Sequence, residues 1–271
     1  MKSIVIAAAL GLFLICCKKE TGPKEMLLAE VIDDGLIEYR FKYNANNTIT
    51  RLELYKNDPI DNSMSGYYAF VYDGSGKMTQ LTVYKVPGDI ASVKAVLKYD
   101  STGMMIGGST YDLSGPTPDV ASFNTTYSYN AKGLVNKIQQ KDKNGKLISY
   151  INLIYYDDSH LKTQENFEES GGMLWMRSKT SYSIPNGYYP TGLEKLRTLL
   201  SPDFMASMYS ESIQVYEYDQ NGFVTYNRKD VMSGREFNDD GSLGRQVLTR
   251  TFIKPEKPDA VSIKEFNYIK Q

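Results

Sequence analysis

A chain of 271 residues with 31 Lys and Arg against 32 Asp and Glu has a net charge of −1, and beyond Lys18-Lys19 it has no clustered basic run. It therefore carries no electrostatic footprint for nucleic acid. Its two cysteines, Cys16 and Cys17, both lie in the N-terminal segment, so the chain beyond them has no internal disulfide and, at this length, can bury a core without one.

In chain order the first feature is Met1 to Glu20: a basic Lys2, an apolar run of 12 residues from Ile4 to Ile15, then Cys16, Cys17, Lys18 and Lys19. The run is too short to cross a bilayer as a helix, which takes about 20 apolar residues, and its layout is that of a secretory signal. Leu14-Ile15-Cys16-Cys17 resembles the lipobox of bacterial lipoproteins, with Leu14 three places before the acceptor Cys17. Cys16 stands where that family usually has Gly, Ala or Ser, and Cys16 as acceptor would put Phe13 and Ile15 at the two specificity positions. The resemblance implies a signal peptide over 1–16, a lipidated linker over 17–30 and a domain over 31–271. It also implies anchoring of the protein to the bacterial outer membrane through a lipid on Cys17, on the periplasmic or the surface face.

Past the linker, an aromatic-ending strand followed by Asp or Asn, two polar residues and usually Gly recurs along the chain. The copies end at Tyr43-Asn44, Tyr72-Asp73, Tyr99-Asp100, Tyr129-Asn130, Tyr156-Asp157, Tyr218-Asp219 and, more weakly, Phe237-Asn238. An Asp or Asn side chain caps a type I turn, and the residue three places on needs φ > 0 to rejoin the ladder, so each copy reads as a hairpin tip. Asn47 and His160 take the glycine position in two copies, and both residue types tolerate the left-handed region. Before each tip the strand alternates, as in Ile37, Tyr39, Phe41 and Tyr43 against Glu38, Arg40 and Lys42. The first five tip tyrosines are spaced 29, 27, 30 and 27 residues apart, room for two strands and two turns per unit. Looser turns fall between them at Asn57-Asp58-Pro59, Pro87-Gly88-Asp89, Ser114-Gly115-Pro116 and Lys143-Asn144-Gly145, and Gly107-Gly108 reads as a bend or bulge. The abundance of tyrosine, 22 against 10 Phe and 1 Trp, suits half-buried strands whose rings pack while their hydroxyls reach water.

Between Tyr156 and Tyr218 the spacing doubles to 62 residues. Thr191 and Glu194 form a capping box, Leu193, Leu196, Leu199 and Leu200 make a helical stripe, and Ser201-Pro202 starts a second short helix carrying Phe204, Met205 and Met208. A helical insert at 191–208 is expected to bury its apolar face against the sheet.

The tips resemble the YD repeat of RHS-type bacterial surface and toxin proteins, and the whole stretch from 36 to 254 resembles uncharacterised lipoproteins described as porin-like β-meanders. The expected fold is therefore all-β, a long antiparallel up-and-down meander of about 12 to 16 strands, as a curved open sheet or partly closed barrel.

Catalytic chemistry finds little support. His160 is the sole histidine and sits at a tip, with no cysteine or second histidine to build a metal or nucleophile site around it. The carboxylate pairs Asp33-Asp34, Asp157-Asp158 and Asp239-Asp240 are adjacent in sequence and read as turn residues. No nucleophile elbow, phosphate loop or dinucleotide fingerprint is present, so no cofactor is expected. Trp175, flanked by Met173 and Met176 and followed by Tyr182, Tyr188 and Tyr189, is the candidate ligand platform. The polar character of Val135 to Asp142 argues against an integral outer-membrane barrel. The expected function is a non-enzymatic, membrane-anchored binding or structural module. The alternatives are an apolar-ligand or lipid carrier in a half-barrel and a glycan-binding surface lipoprotein, and an envelope-protein partner is equally open.

Overall fold

The computed structural model describes residues 26–156, 161–183 and 210–270. The hairpin repeat produces strands β1 (Met26–Asp33), β2 (Leu36–Tyr43), β3 (Ile49–Tyr55), β4 (Met64–Tyr72), β5 (Met78–Lys85), β6 (Ile90–Tyr99), β7 (Met105–Asp112) and β8 (Phe123–Tyr129). They continue as β9 (Val135–Asp142), β10 (Leu147–Tyr155), β11 (Leu161–Ser170), β12 (Met173–Ser183), β13 (Ser212–Tyr218), β14 (Val224–Phe237), β15 (Leu243–Lys254) and β16 (Lys257–Lys270). Each pairs antiparallel with its sequence neighbour, and β1 pairs with β16, from Met26 opposite Lys270 to Asp33 opposite Lys264. The sheet is thus a closed barrel of 16 strands. That corrects the expectation of an open or partly closed sheet: closure leaves neither terminal strand with an unpaired edge. The expected helices at 191–208 lie outside the described residues.

The tips form as the turn chemistry requires. In the tips that begin at Asn44, Asp73, Asp100, Asn130 and Asp219, the side-chain Oδ1 accepts from the amides two and four residues on, at 2.8–3.0 Å. Gly76, Gly103, Gly133 and Gly222 hold φ of 82°, 87°, 75° and 82°, and Asn47 holds 60°. Asp142 to Gly145, expected to be a looser turn, closes in the same way, with Oδ1 of Asp142 accepting from Asn144 and Lys146. The ladder also shifts one copy by a residue. Tyr155, opposite Leu161, holds the position that Tyr129 holds opposite Val135, so Tyr156 follows the strand rather than ending it. Valine at Gly76, Gly133 or Gly222, where no neighbouring atom obstructs a side chain, is expected to cost more than about 1 kcal/mol through backbone strain alone. Denaturant midpoints of the three variants would check this, a downward shift being the expected result.

A register shift accompanies each of the tips ending β2, β4, β6, β8 and β10. There a tyrosine hydroxyl reaches a carbonyl of a neighbouring strand. Tyr43 donates to Leu28 O at 2.6 Å, Tyr72 to Ile49 O at 2.9 Å, Tyr99 to Met78 O at 2.6 Å, Tyr155 to Val135 O at 2.8 Å, and Tyr129 to Met105 O. The tip tyrosines therefore pair with backbone carbonyls rather than water, which explains why Tyr and not Phe ends these strands. Burial pushes the Tyr99 and Tyr129 hydroxyls up to about 12, and those of Tyr72 and Tyr127 further. Because the unfolded chain ionises near 10, the stability these groups contribute is complete below pH 10 and is lost as pH rises toward 12. Tyrosinate absorbance should consequently rise in step with loss of strand signal in that window.

Strand alternation decides what faces in. Leu28, Phe41, Ile49, Leu52, Phe70, Met78, Leu97, Met105, Val135, Ile138, Leu153, Leu161, Ile213, Leu243 and Phe266 belong to one buried cluster inside the barrel. The opposite face is charged in the middle of the strands: Arg40 lies opposite Glu53, and Lys137, Asn152, Glu165 and Lys179 follow one another across four strands. A lipid-facing barrel wall presents apolar side chains there, and one Arg or Lys at the bilayer midplane costs about 2–4 kcal/mol. The outer wall of this barrel is suited to water.

Candidate functional site: a polar cleft at one end of the barrel

The up-and-down course sorts the connections into two ends. Met26, Lys270 and the tips starting at Asn44, Asp73, Asp100, Asn130 and Asn238 share one end, and the turns at 34–35, 57–63, 86–89, 113–122, 143–146, 171–172, 219–223 and 255–256 share the other. Three strands, β11 to β13, lie between Tyr155 and the Asp219 tip, so that tip lies at the end opposite Asn44, Asp73, Asp100 and Asn130, as the Asp142 turn does. The apolar cluster occupies the half of the interior nearest the chain termini. Toward the other end the inward positions turn polar.

Register carries this polar surface from strand to strand. Thr110 is opposite Phe123, Thr125 opposite Gln140, Gln140 opposite Ser149, and Ser149 opposite Glu168. One pleat over, Ile151 is opposite Asn166, Asn166 opposite Ser178, and Ser178 opposite Glu217. Most of these residues line a cleft of about 740 Å³ together with Lys85, Ser92, Asp112, Gln164, Arg177 and Thr180. Its floor is buried: Thr110 is 3%, Gln164 4% and Gln140 7% exposed. Buried amides need partners, and they have them. Ser149 Oγ donates to Gln140 Oε1 at 2.9 Å, Gln164 Nε2 to Asn166 Oδ1 at 3.3 Å, and Asn166 Nδ2 to Ser178 Oγ at 2.9 Å. At the mouth Arg177 pairs with Glu168 at 3.3 Å, and Lys146 with Glu169 at 3.0 Å. A hydrogen bond from the Ser114 hydroxyl, with a smaller pull from Lys85, holds the Asp112 carboxyl below the ordinary aspartate value.

Across the barrel a cavity of about 200 Å³ is lined by an ion network. Asp230 accepts from Arg250 Nε at 3.0 Å and Nη2 at 3.2 Å, and lies 3.2 Å from Arg228 Nε. Lys264 bridges Glu38 at 2.6 Å and Asp33 at 3.4 Å. Asp33 is therefore an inward-facing strand residue rather than a turn residue, whereas Asp34 does sit in the turn with φ 50°. Asp239 and Asp240 lie in the β14–β15 turn. Among the described residues no group of acids, histidines or cysteines is placed to hold a metal ion.

Of the expected aromatic platform, Trp175 and Tyr182 are not brought together. Tyr182 is 3% exposed and packs in the apolar core near the termini, whereas Trp175 is half-buried opposite Glu168 at the cleft end of the same strand. Seven residues of extended strand, roughly 23 Å, separate them. Tyr188, Tyr189, His160, Asp157 and Asp158 lie outside the described residues. The cleft residues Gln140, Gln164 and Asn166 did not stand out in the sequence. The signal was present, since each occupies an inward position of an alternating strand where an apolar residue is the rule.

No protein-family model and no curated protein matches this sequence. Among solved structures, the chain is similar to a porin-like protein from Bacteroides uniformis, at TM-score 0.55 and 12% identity, over 92% of this chain and 99% of that one. A porin-like protein from Bacteroides vulgatus gives TM-score 0.39 at 10% identity over 90% and 99%. The Tc holotoxin pore of Photorhabdus luminescens gives 0.31 at 11% identity over 86% of this chain and 14% of that one. The first likeness shows the fold: an antiparallel meander closed into a barrel.

Proposed function

We propose that this is a non-enzymatic, lipid-anchored protein of the bacterial envelope that holds a polar ligand in one end of a barrel closed at the other. One observation carries this reading: the interior divides into a packed apolar half and a polar cleft of about 740 Å³, a volume within the range of about 300–1,000 Å³ typical of ligand sites. A wide barrel that conducts keeps an aqueous lumen, whereas here large apolar side chains fill the half nearest the termini. The lipid-carrier alternative would need a cavity lined by Leu, Met and Phe. The larger cavity does have apolar walls, Val93, Ile148, Ile151 and Phe167 among them, but it also carries the amides Gln140, Gln164 and Asn166 and the hydroxyls Ser149, Ser178 and Thr180, which a hydrocarbon chain cannot pair.

Anchoring through Cys17 gives the barrel a direction. Met26 follows Cys17 by nine residue steps, a reach of at most about 30 Å, and Met26 lies at the apolar end. The cleft then opens away from the bilayer. The test of the anchor is acyl labelling and fractionation. Cys17→Ser should lose the label and leave the membrane fraction, while Cys16→Ser should keep both. The reverse result would move the acceptor to Cys16, and no labelling of either form would end the lipoprotein reading.

A further inference from the structure

We infer that the polar cleft is a binding site for a neutral oligosaccharide, an inference that rests on the cleft being a ligand site at all. Beside apolar and aromatic walls that include Val93, Ile148, Ile151 and Phe167, the cleft carries the two side-chain classes that both donate and accept hydrogen bonds: the amides Gln140, Gln164 and Asn166 and the hydroxyls Ser149, Ser178 and Thr180. A sugar hydroxyl also does both, and adjacent hydroxyls on one ring match the paired oxygen and nitrogen of a carboxamide. The chain from Gln164 through Asn166 to Ser178 fixes the amides before any ligand arrives, so little freedom is lost on binding.

Charge selects against other polar ligands. Around the cleft Glu168 is answered by Arg177 and Glu169 by Lys146, while Asp112 lies within the field of Lys85. Glu217 adds a negative charge. A phosphate or carboxylate entering here would meet no unengaged guanidinium and would face that acid, so an anion gains nothing. A fatty chain would cover the solvated donors and acceptors that remain on the cleft wall without offering them a hydrogen bond, at a cost per group of about 1–3 kcal/mol. A polyhydroxylated ligand meets both conditions. Phe123, inward and on the cleft wall beside Thr110, supplies the aromatic face against which the C–H side of a pyranose ring packs. The volume suits a short oligomer rather than a single ring.

The test uses the full chain purified in detergent micelles, titrated calorimetrically with neutral gluco-, manno-, xylo- and N-acetylglucosamine oligosaccharides of graded length, and separately with inositol hexakisphosphate and palmitate. The expected result is saturable one-to-one binding of at least one neutral series. Asn166→Leu and Thr180→Tyr should each weaken it about tenfold or more, roughly 1.4 kcal/mol, with thermal melting retained. Thr180→Tyr fills the cleft without removing a buried amide, so it remains informative should Asn166→Leu unfold. Binding of the hexakisphosphate or palmitate in place of sugar, weakened by Thr180→Tyr, would overturn the ligand class and keep the cleft as a site. Sugar binding indifferent to both substitutions would place the sugar elsewhere and overturn the inference. Failure of every probe to bind would overturn the inference together with the ligand-binding reading beneath it.

Discussion

Replacing Asp230 by alanine is expected to destabilise the barrel by about 3–5 kcal/mol, a large share of the roughly 5–15 kcal/mol typical of a folded domain. Asp230 is 3% exposed and faces inward, where two of its hydrogen bonds come from Arg250 and a third close approach from Arg228. Removing the carboxylate leaves two guanidinium groups side by side next to the small cavity without the acid that bridges them. Both arginines retain partial access to solvent, which places the expected value near the lower end of that range. The informative comparison is the double variant Asp230→Ala with Arg250→Met. If the loss comes from uncompensated charge, the double variant should be more stable than Asp230→Ala alone, as read from urea midpoints. A double variant less stable than either single one would mean that the network acts by packing.

The second large effect is expected on β7. A Cβ at Gly107 would collide with the carbonyl oxygen of Thr125 on β8, and one at Gly108 would lie 2.7 Å from the carbonyl oxygen of Val96 on β6. The two glycines face opposite ways, and the β7–β8 ladder runs through them, Gly107 opposite Thr126 and Gly108 opposite Thr125, while the β6–β7 ladder shifts beside Gly107, from Lys98 opposite Gly107 to Tyr99 opposite Met105. Gly107 thus borders a bulge, and both glycines have a further role. They are the places where adjacent backbones approach too closely for any side chain. Backbone cannot yield as a flexible side-chain end can, so Gly107→Ala and Gly108→Ala should each cost about 1–3 kcal/mol or more. Gly74→Ala, at a tip where no atom lies within 4 Å of the new methyl, should stay within about 0.5 kcal/mol of the parent. Equal melting temperatures for all three would contradict the close approach.

Local chemistry is what the sequence declares most clearly. Asp73, Asp100 and Asn130 with their following glycines state a turn because the capping oxygen and the positive φ are supplied within five residues, independent of anything distant. Alternation such as Ile37, Tyr39 and Phe41 states which face is buried for the same reason. The partner of each tip tyrosine was less visible. A hydroxyl at a strand end could equally meet water, and only the pairing of β5 with β6, which sets Met78 O within reach of Tyr99, decides otherwise.

Closure and phase arise from long-range pairing. Whether β1 meets β16 depends on tilt and stagger accumulated over all 16 strands, a sum that no single hairpin records. The Asp219 tip carries the same turn chemistry as the Asp73 tip, yet it lies at the opposite end because an odd number of strands, β5 to β13, separates the two. The cleft is a product of the same pairing. Gln140, Gln164 and Asn166 are ordinary polar residues along the chain, and each becomes part of a site only when the ladders from β7 to β13 set their inward faces side by side around one cavity. Hairpins, alternation and the order of strands are legible in the linear chain, since they depend on neighbours a few residues apart. Which polar residues share an interior is settled by the closed barrel, because strands whose contact spans the full length of the chain set that grouping.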